Sequence, residues 1–219
     1  MYELLIIAGF AVLAYRNLTV HDDEFANTSR KIGDRVGKLW DIAHLSMREN
    51  RFLRAEKALL TILKIDERNA AAYNRLGILY AKQKEYRDAI DCFEIASSIE
   101  ATQSSLHNLG LIYYETENYE KAAVAFEQAL KLEDKLAARH VAYAKVQEKL
   151  GNEKLMIQEL EKAAELEPNI ETFTLLLKAY DAAGMSEQAD MLKDKLKKLK
   201  KPSAKPTKRM LRPARRVVV

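Results

Sequence analysis

The sequence predicts an all-α repeat protein, because one set of residue types recurs at a fixed spacing and apolar residues recur at helical spacing. Leu76-Gly77 precedes Tyr80, Tyr86, Ala89, Phe93 and Ala96, and a shift of 33 positions gives Leu109-Gly110, Tyr113, Tyr119, Ala122, Phe126 and Ala129. A fixed period of this length is the signature of a repeat architecture. Apolar residues at helical spacing on either side of these segments indicate further helices.

This pattern resembles the tetratricopeptide repeat. The resemblance implies an all-α solenoid of about five helix–turn–helix units, because a single unit cannot bury its apolar face alone. The predicted solenoid covers 36–200, with units at 36–69, 70–102, 103–136, 137–169 and 170–200. Counting from the first residue of each unit, the Leu-Gly pair occupies positions 7 and 8. The second and third units match strongly, and the outer units depart from the pattern.

Small residues and glycines mark the predicted close contacts and turns. Gly77 and Gly110, at position 8, face small residues at position 20, which predicts a close crossing of the two helices of one unit. Aromatic residues at positions 11, 17 and 24 are expected to fill the wedge between neighbouring units. Gly151 and Gly184, at position 15, fall between helices, where a positive φ is expected.

A binding groove follows from the resemblance. In this family the first helix of each unit lines the concave face, so positions 5, 9 and 12 are implied to project into the groove. The predicted groove residues are Trp40, His44, Asn74, Ile78, His107, Leu111, Tyr114 and Lys145. Their mixture of aromatic, aliphatic and polar side chains suits a protein or peptide partner. Trp40 and Tyr114 are the preferred anchors, since large exposed aromatics often carry binding energy.

The N-terminal residues predict a hydrophobic helix over 1–18, joined to the repeats by a connecting helix over 19–35. No charge interrupts the run from Leu4 to Tyr15. The run is shorter than the roughly 20 residues of a spanning helix, and Arg16 snorkelling at the interface would extend it. A cleaved signal peptide and a helix packed on the solenoid end are the alternatives. Basic residues follow the run, so the positive-inside rule places the repeats in the cytoplasm.

The C-terminal residues predict a disordered basic tail over 201–219. From residue 193 to 219 there are 12 Lys and Arg against one acid, a balance of +11, which leaves 4 − 11 = −7 for residues 1–192. Such a composition cannot bury enough apolar area to fold alone. The residues expected to contact anionic lipid or nucleic acid are Lys205, Lys208, Arg209, Arg212, Arg215 and Arg216. The alternative is a tail that only aids solubility.

No pattern in the sequence indicates catalysis or a cofactor. A phosphate loop, a dinucleotide fingerprint and a nucleophile elbow are all missing, and none of the four histidines has a second ligand at metal spacing. His107 is expected to face the groove and His140 the core. The sequence therefore predicts a non-enzymatic, membrane-tethered adaptor that binds a protein or peptide. The alternative is a soluble nucleic-acid-associated protein that uses the basic tail.

Overall fold

The computed structural model of the chain describes residues 28–200, and the regular structure within that range is helical. Its ten helices are α1 (28–48), α2 (Phe52–Ile65), α3 (Ala70–Gln83), α4 (Tyr86–Ile99), α5 (Gln103–Glu115), α6 (Tyr119–Leu132), α7 (Ala137–Lys149), α8 (Glu153–Leu166), α9 (Ile170–Ala182) and α10 (Ser186–Lys200). The helices fall into two compact units: unit one holds α1 to α6, and unit two holds α7 to α10.

The two ends of the chain lie outside the described residues. They include the predicted helix over 1–18, the connecting helix up to residue 27 and the tail over 201–219. Among helices of the described part, none combines the length and apolar character needed to cross a bilayer.

Consecutive helices pair as hairpins within each unit. In unit one, α3 packs on α4 and α5 on α6, while α2 contacts α3 and α4 contacts α5. In unit two, α7 packs on α8 and α9 on α10, with α8 against α9. Helices α3, α5, α7 and α9 begin at residues 70, 103, 137 and 170, which are the first residues of the second to fifth predicted units. This pairing is the helix–turn–helix arrangement that the repeat pattern implied.

Side-chain caps start several of the first helices. The Asn69 carboxamide accepts a hydrogen bond from the Ala72 backbone, and Asn169 does the same for Thr172. At α5, Thr102 and Ser105 satisfy each other's backbone N–H groups in a capping box. These caps satisfy N–H groups that have no partner inside the helix, and so they define where each repeat begins.

The turn inside every hairpin has one left-handed residue, always at position 15. Gly151 and Gly184 adopt φ values of 75° and 71°, as the sequence predicted. Asn50, Lys84 and Glu117 adopt the same conformation without being glycine, at 57°, 63° and 62°. The backbone N–H of the following residue then donates to the carbonyl oxygen of the residue five positions earlier, as Glu85 does to Tyr80 at 2.9 Å. This is the helix-ending motif that needs a left-handed residue.

The glycine at position 8 lies under an aromatic ring of its own hairpin. A Cβ on Gly77 would lie 2.7 Å from the Phe93 ring, and one on Gly110 would lie 2.9 Å from the Phe126 ring. The predicted close crossing is therefore confirmed. Both rings, at position 24, pack on the glycine of their own repeat, because the missing glycine side chain leaves space there. Their contact with the neighbouring repeat stays a prediction.

Tyrosines at position 11 join neighbouring hairpins within each unit. The hydroxyl of Tyr80 donates to Glu56 at 2.8 Å, and that of Tyr113 donates to Glu94. In unit two the Tyr180 hydroxyl donates to Glu161 at 2.7 Å. Burial and the adjoining carboxylates raise the pKa of all three tyrosines. The expected contact between neighbouring units at position 11 is thus present as a hydrogen bond as well as an apolar contact.

Candidate functional site

The predicted groove residues of unit one lie on the first helices of its hairpins, α1, α3 and α5. On α1, the Trp40 ring packs against the His44 ring with centroids 5.6 Å apart, and Trp40 also contacts the core formed by α1, α2 and α3. Trp40 is half-buried, whereas His44 is exposed. The pair presents one mixed aromatic and polar surface, with Trp40 held in place by the core.

Two asparagines connect α3 to α5 on this surface. The side-chain amide of Asn108 donates to the side-chain oxygen Oδ1 of Asn74 at 3.2 Å, and both side chains are half-buried. Asn74 was predicted as a groove residue, and Asn108, at position 6, was not. A side-chain amide carries two donor hydrogens and a carbonyl acceptor. The pair therefore keeps donor and acceptor capacity for the backbone of an extended peptide.

The groove residues predicted on α5 differ in their exposure to solvent. Leu111 is 39% exposed, while His107 and Tyr114 are half-buried. The His107 ring meets the Phe126 ring edge-on with centroids 5.4 Å apart, and Tyr114 meets Tyr119 in the same way at 5.6 Å. His107 is therefore part of the packing of its own hairpin as well as of the surface. Ile78 on α3 is likewise half-buried against the core of unit one.

Lys145, the remaining predicted residue, lies in unit two beside a cavity of about 350 Å³. The cavity opens between α7, α8 and α9 and is lined by Ala144, Lys145, Glu148, Gly151, Glu153, Met156, Leu160, Leu175, Lys178, Ala179 and Ala182. Its walls are mainly aliphatic, and its size falls within the usual range of ligand pockets. Four charged side chains surround this apolar interior.

Two lysines of this cavity occupy equivalent positions in consecutive repeats. Lys145 and Lys178 stand at position 9 of α7 and α9, both are exposed, and neither forms an ion pair among the described residues. The sequence prediction stopped at the fourth repeat and so missed Lys178, although the same register would have found it. Met156 was also missed. It occupies position 20, where a small residue was expected, and its flexible thioether lines the cavity.

A larger cavity of about 580 Å³ lies elsewhere in unit two, lined by residues of α8, α9 and α10 together with Pro168. Its wall includes Tyr180, whose hydroxyl is already bonded to Glu161. None of the predicted groove residues lines it. The smaller cavity is therefore the one that coincides with the predicted binding register.

A buried charged cluster joins α7 to α8. His140 is 3% exposed, which confirms its predicted place in the core. Its Nδ1 lies 2.6 Å from a Glu159 carboxylate oxygen, and its Nε2 lies 2.7 Å from the Asp134 carbonyl oxygen. The lowered pKa of Glu159 keeps its carboxylate ionised, so both neighbours are acceptors, both ring nitrogens donate and the imidazole is doubly protonated.

The surroundings of this cluster favour its charged form. The hydrogen bond that His140 donates to Glu159 raises the pKa of His140 against the effect of burial. Burial alone would raise the pKa of Glu159, but the hydrogen bonds from His140 and Lys162 outweigh it and lower that pKa. The cluster stabilises the hairpin, and none of its members lines either cavity of unit two.

Other reactive groups of the described residues are not assembled into a site. Burial is the main cause that raises the pKa of the Cys92 thiol to about 11, and the negative charge of nearby Asp88 adds to it. The thiol therefore stays protonated at neutral pH. Residues 28–200 hold no group of three or more His, Cys, Asp or Glu arranged for a metal ion. The predicted tail contacts, from Lys205 to Arg216, lie outside the described residues.

Family models of the tetratricopeptide repeat match the chain at residues 70–100, 104–136 and 137–170. A search of curated proteins found no match. Among solved structures, the chain resembles a MamA protein, with 21% identity over 76% of this chain and 92% of that chain and a TM-score of 0.68. A MamA fragment from Desulfovibrio magneticus RS-1 gives 15% identity, coverage of 76% and 95% and a TM-score of 0.68. YrrB, described as a tetratricopeptide-repeat protein with an unusual peptide-binding site, gives 21% identity, coverage of 72% and 82% and a TM-score of 0.62.

Proposed function

Because the chain is built of tetratricopeptide repeats, we propose that it is a non-enzymatic adaptor that binds a protein or peptide partner. The observation that carries this proposal is the 350 Å³ cavity of unit two, which coincides with the predicted groove residue Lys145. Its aliphatic walls accept a bulky apolar side chain of the partner, and Met156 adapts to that side chain. The similarity to YrrB, itself described as having a peptide-binding site, supports the same class of function.

The surface of unit one is a separate candidate contact for a partner. The Asn74–Asn108 pair can bind an extended backbone, and Trp40 on α1 and Leu111 on α5 offer apolar area. An interface of this kind places a few apolar anchors among polar groups that fix orientation. A partner at the cavity of unit two is therefore expected to offer a bulky apolar side chain, and a partner at the surface of unit one an extended segment.

Site-specific crosslinking tests the cavity directly. A photoreactive amino acid at Ala182, which is exposed at the cavity, should capture a partner in cells, whereas one at Glu171, exposed on the same helix but away from the cavity, should not. Ala182→Phe should then weaken binding of a peptide from that partner by about tenfold, or about 1.4 kcal/mol. Glu171→Phe is the matched control. Equal capture from both positions would contradict the proposal.

We further propose that residues 1–18 tether the adaptor to a membrane, with the repeats in the cytoplasm. The uncharged run from Leu4 to Tyr15 and the basic residues that follow it support this orientation. The full chain should resist carbonate extraction, and a chain lacking 1–18 should not. Protease added to the cytoplasmic side should digest the repeats. Release of the full chain by carbonate would contradict the tether.

The alternative proposal is a soluble nucleic-acid-associated protein, supported by the +11 balance of residues 193–219. In that case the full chain binds DNA or RNA without sequence preference and dissociates as salt rises, because phosphate contacts carry no base information. Removal of 201–219 should abolish that binding. Membrane extraction and nucleic-acid binding together distinguish the two functions.

A further inference from the structure

The N-terminal part of α1 extends beyond the helix that pairs with it. Helix α1 has 21 described residues and α2 has 14, and they are joined by three residues as a hairpin. The difference of seven residues, 28–34, corresponds to about 10 Å of helix. Residues 28–38, termed here the α1 extension, comprise this overhang and the next turn, and all are exposed except Val36, which is half-buried.

The α1 extension carries basic charge that no ion pair with the other described residues neutralises. Arg30, Lys31, Arg35 and Lys38 stand against a single acid, Asp34. None of these five side chains takes part in a hydrogen bond or ion pair within the described part of the chain. Ion pairs with the described residues therefore do not account for the cluster.

An apolar stripe runs along the same helix and changes from buried to exposed. Ala43 is fully buried, Leu39 and Val36 are half-buried, and Ile32 is 46% exposed, with spacings of four, three and four residues. These spacings keep the four residues on one side of the helix. The stripe that α1 buries in the core of unit one thus continues into the extension, where it has basic neighbours.

Two glycines make the extension a weak helix by itself. Nothing lies within 4 Å of a Cβ built on Gly33 or Gly37, so no close contact requires glycine there. Glycine inside a helix costs up to about 1 kcal/mol relative to alanine. The α1 extension continues a packed helix but has few contacts of its own, so it should fray in solution and gain order from a partner.

We propose that the α1 extension binds the surface of an anionic lipid bilayer. Its basic residues contact the headgroups, and Ile32 and Val36 enter the boundary between headgroups and acyl chains, as in helices that lie in the membrane interface. The exposed stripe favours a bilayer over nucleic acid, since a phosphate backbone offers no apolar layer for Ile32. This proposal does not require residues 1–18 to span the membrane.

Hydrogen exchange of the full chain tests the proposal at the extension itself. Amides of residues 28–38 should exchange quickly in solution. They should slow by roughly tenfold or more on vesicles of equal parts phosphatidylglycerol and phosphatidylcholine, as an unpacked helix becomes ordered. Vesicles of phosphatidylcholine alone should give no such change, even if residues 1–18 insert in them. Binding through the basic tail is separated from this result by the variants below, which change α1 and leave the tail intact.

Two variants and one control complete the test. Replacing Arg30, Lys31, Arg35 and Lys38 together with Gln should abolish the protection, and Ile32→Gln should reduce it. Replacing Lys64, Lys82, Lys84 and Arg87 with Gln removes the same number of exposed positive charges and should leave the protection unchanged. Far-UV circular dichroism verifies that each variant folds.

The remaining outcomes would overturn the proposal. Equal protection on neutral and anionic vesicles would show that residues 1–18 alone bring α1 to the bilayer. Protection by duplex DNA without protection by anionic vesicles would assign the extension to nucleic acid. No protection on any surface would leave the extension without a lipid role. Failure of the crosslink at Ala182 would contradict the adaptor function without affecting this result.

Discussion

At the residue scale, position 15 shows how a fixed backbone requirement is met by different amino acids. The left-handed conformation there costs glycine little, and it costs other residues roughly 1–2 kcal/mol. Gly151 and Gly184 meet it in unit two, whereas Asn50, Lys84 and Glu117 adopt it in unit one. The strain at Lys84 and Glu117 is offset by the hydrogen bonds that end α3 and α5.

Lys84→Gly should therefore stabilise the protein. Relief of the left-handed strain exceeds the added chain entropy of glycine, so the free energy of unfolding should rise by about 0.5–1 kcal/mol. Lys82→Gly is the matched control, because Lys82 lies in the last turn of α3 and is also exposed. That substitution should lower the free energy of unfolding by up to about 1 kcal/mol. Urea denaturation followed by circular dichroism measures both, and a loss of stability in Lys84→Gly would contradict the argument.

At the element scale, each strong hairpin depends on the contact between a glycine and an aromatic ring. Phe93 and Phe126 are almost fully buried, and each ring occupies the space above the glycine of the paired helix. Because protein interiors are close-packed, the ring cannot move away freely. The glycines thus set the distance between α3 and α4 and between α5 and α6.

Gly77→Ala should destabilise the protein although alanine is the better helix former. The new Cβ would lie 2.7 Å from the Phe93 ring, and overpacking of this kind costs about 1–3 kcal/mol. Gly37→Ala, where nothing lies within 4 Å, should instead stabilise by up to about 1 kcal/mol. Thermal unfolding of the two variants should shift in opposite directions. Equal shifts would mean that helix propensity alone decides both.

At the scale of the whole molecule, tyrosine hydroxyls join neighbouring hairpins in both units. Unit two also contains a buried ionic cluster. The His140–Glu159 pair lies between α7 and α8, with Lys162 at its more exposed edge. A buried pair of this kind becomes costly when one partner loses its charge. The stability of the chain should therefore depend on pH through this cluster.

The sign of that dependence follows from the two pKa shifts. The raised pKa of His140 gives stability that is complete below its ordinary value of 6.5 and is lost as pH rises through the higher folded value. The lowered pKa of Glu159 gives stability that is present above 4.5 and is lost as pH falls through the lower folded value. The pair thus stabilises most between these two pH values.

Glu159→Gln should cost about 3–5 kcal/mol near pH 6, because it leaves a buried imidazolium without its counter-charge. His140→Gln should also destabilise near pH 6, and its difference from wild type should shrink as pH rises toward 9. Urea denaturation across this pH range measures the difference. His44→Gln is the control, because it removes an exposed histidine that has no hydrogen bond to any described residue, and it should leave the effect of the His140–Glu159 pair in place. A pH-independent difference for His140→Gln would contradict the assignment of charge.

The sequence by itself determined the helical class, the repeat period, the close crossing at Gly77 and Gly110 and the core position of His140. These features depend on residue type at fixed spacing along one or two adjacent helices, so a local pattern is enough to predict them. Tertiary structure decided where Phe93 and Phe126 pack, that Asn108 meets Asn74, and that Lys145 and Lys178 border one cavity. Those contacts join residues from different helices, and their geometry depends on how far apart the helix axes lie. That distance is set by the packing of all the side chains between them, which residue spacing alone does not define.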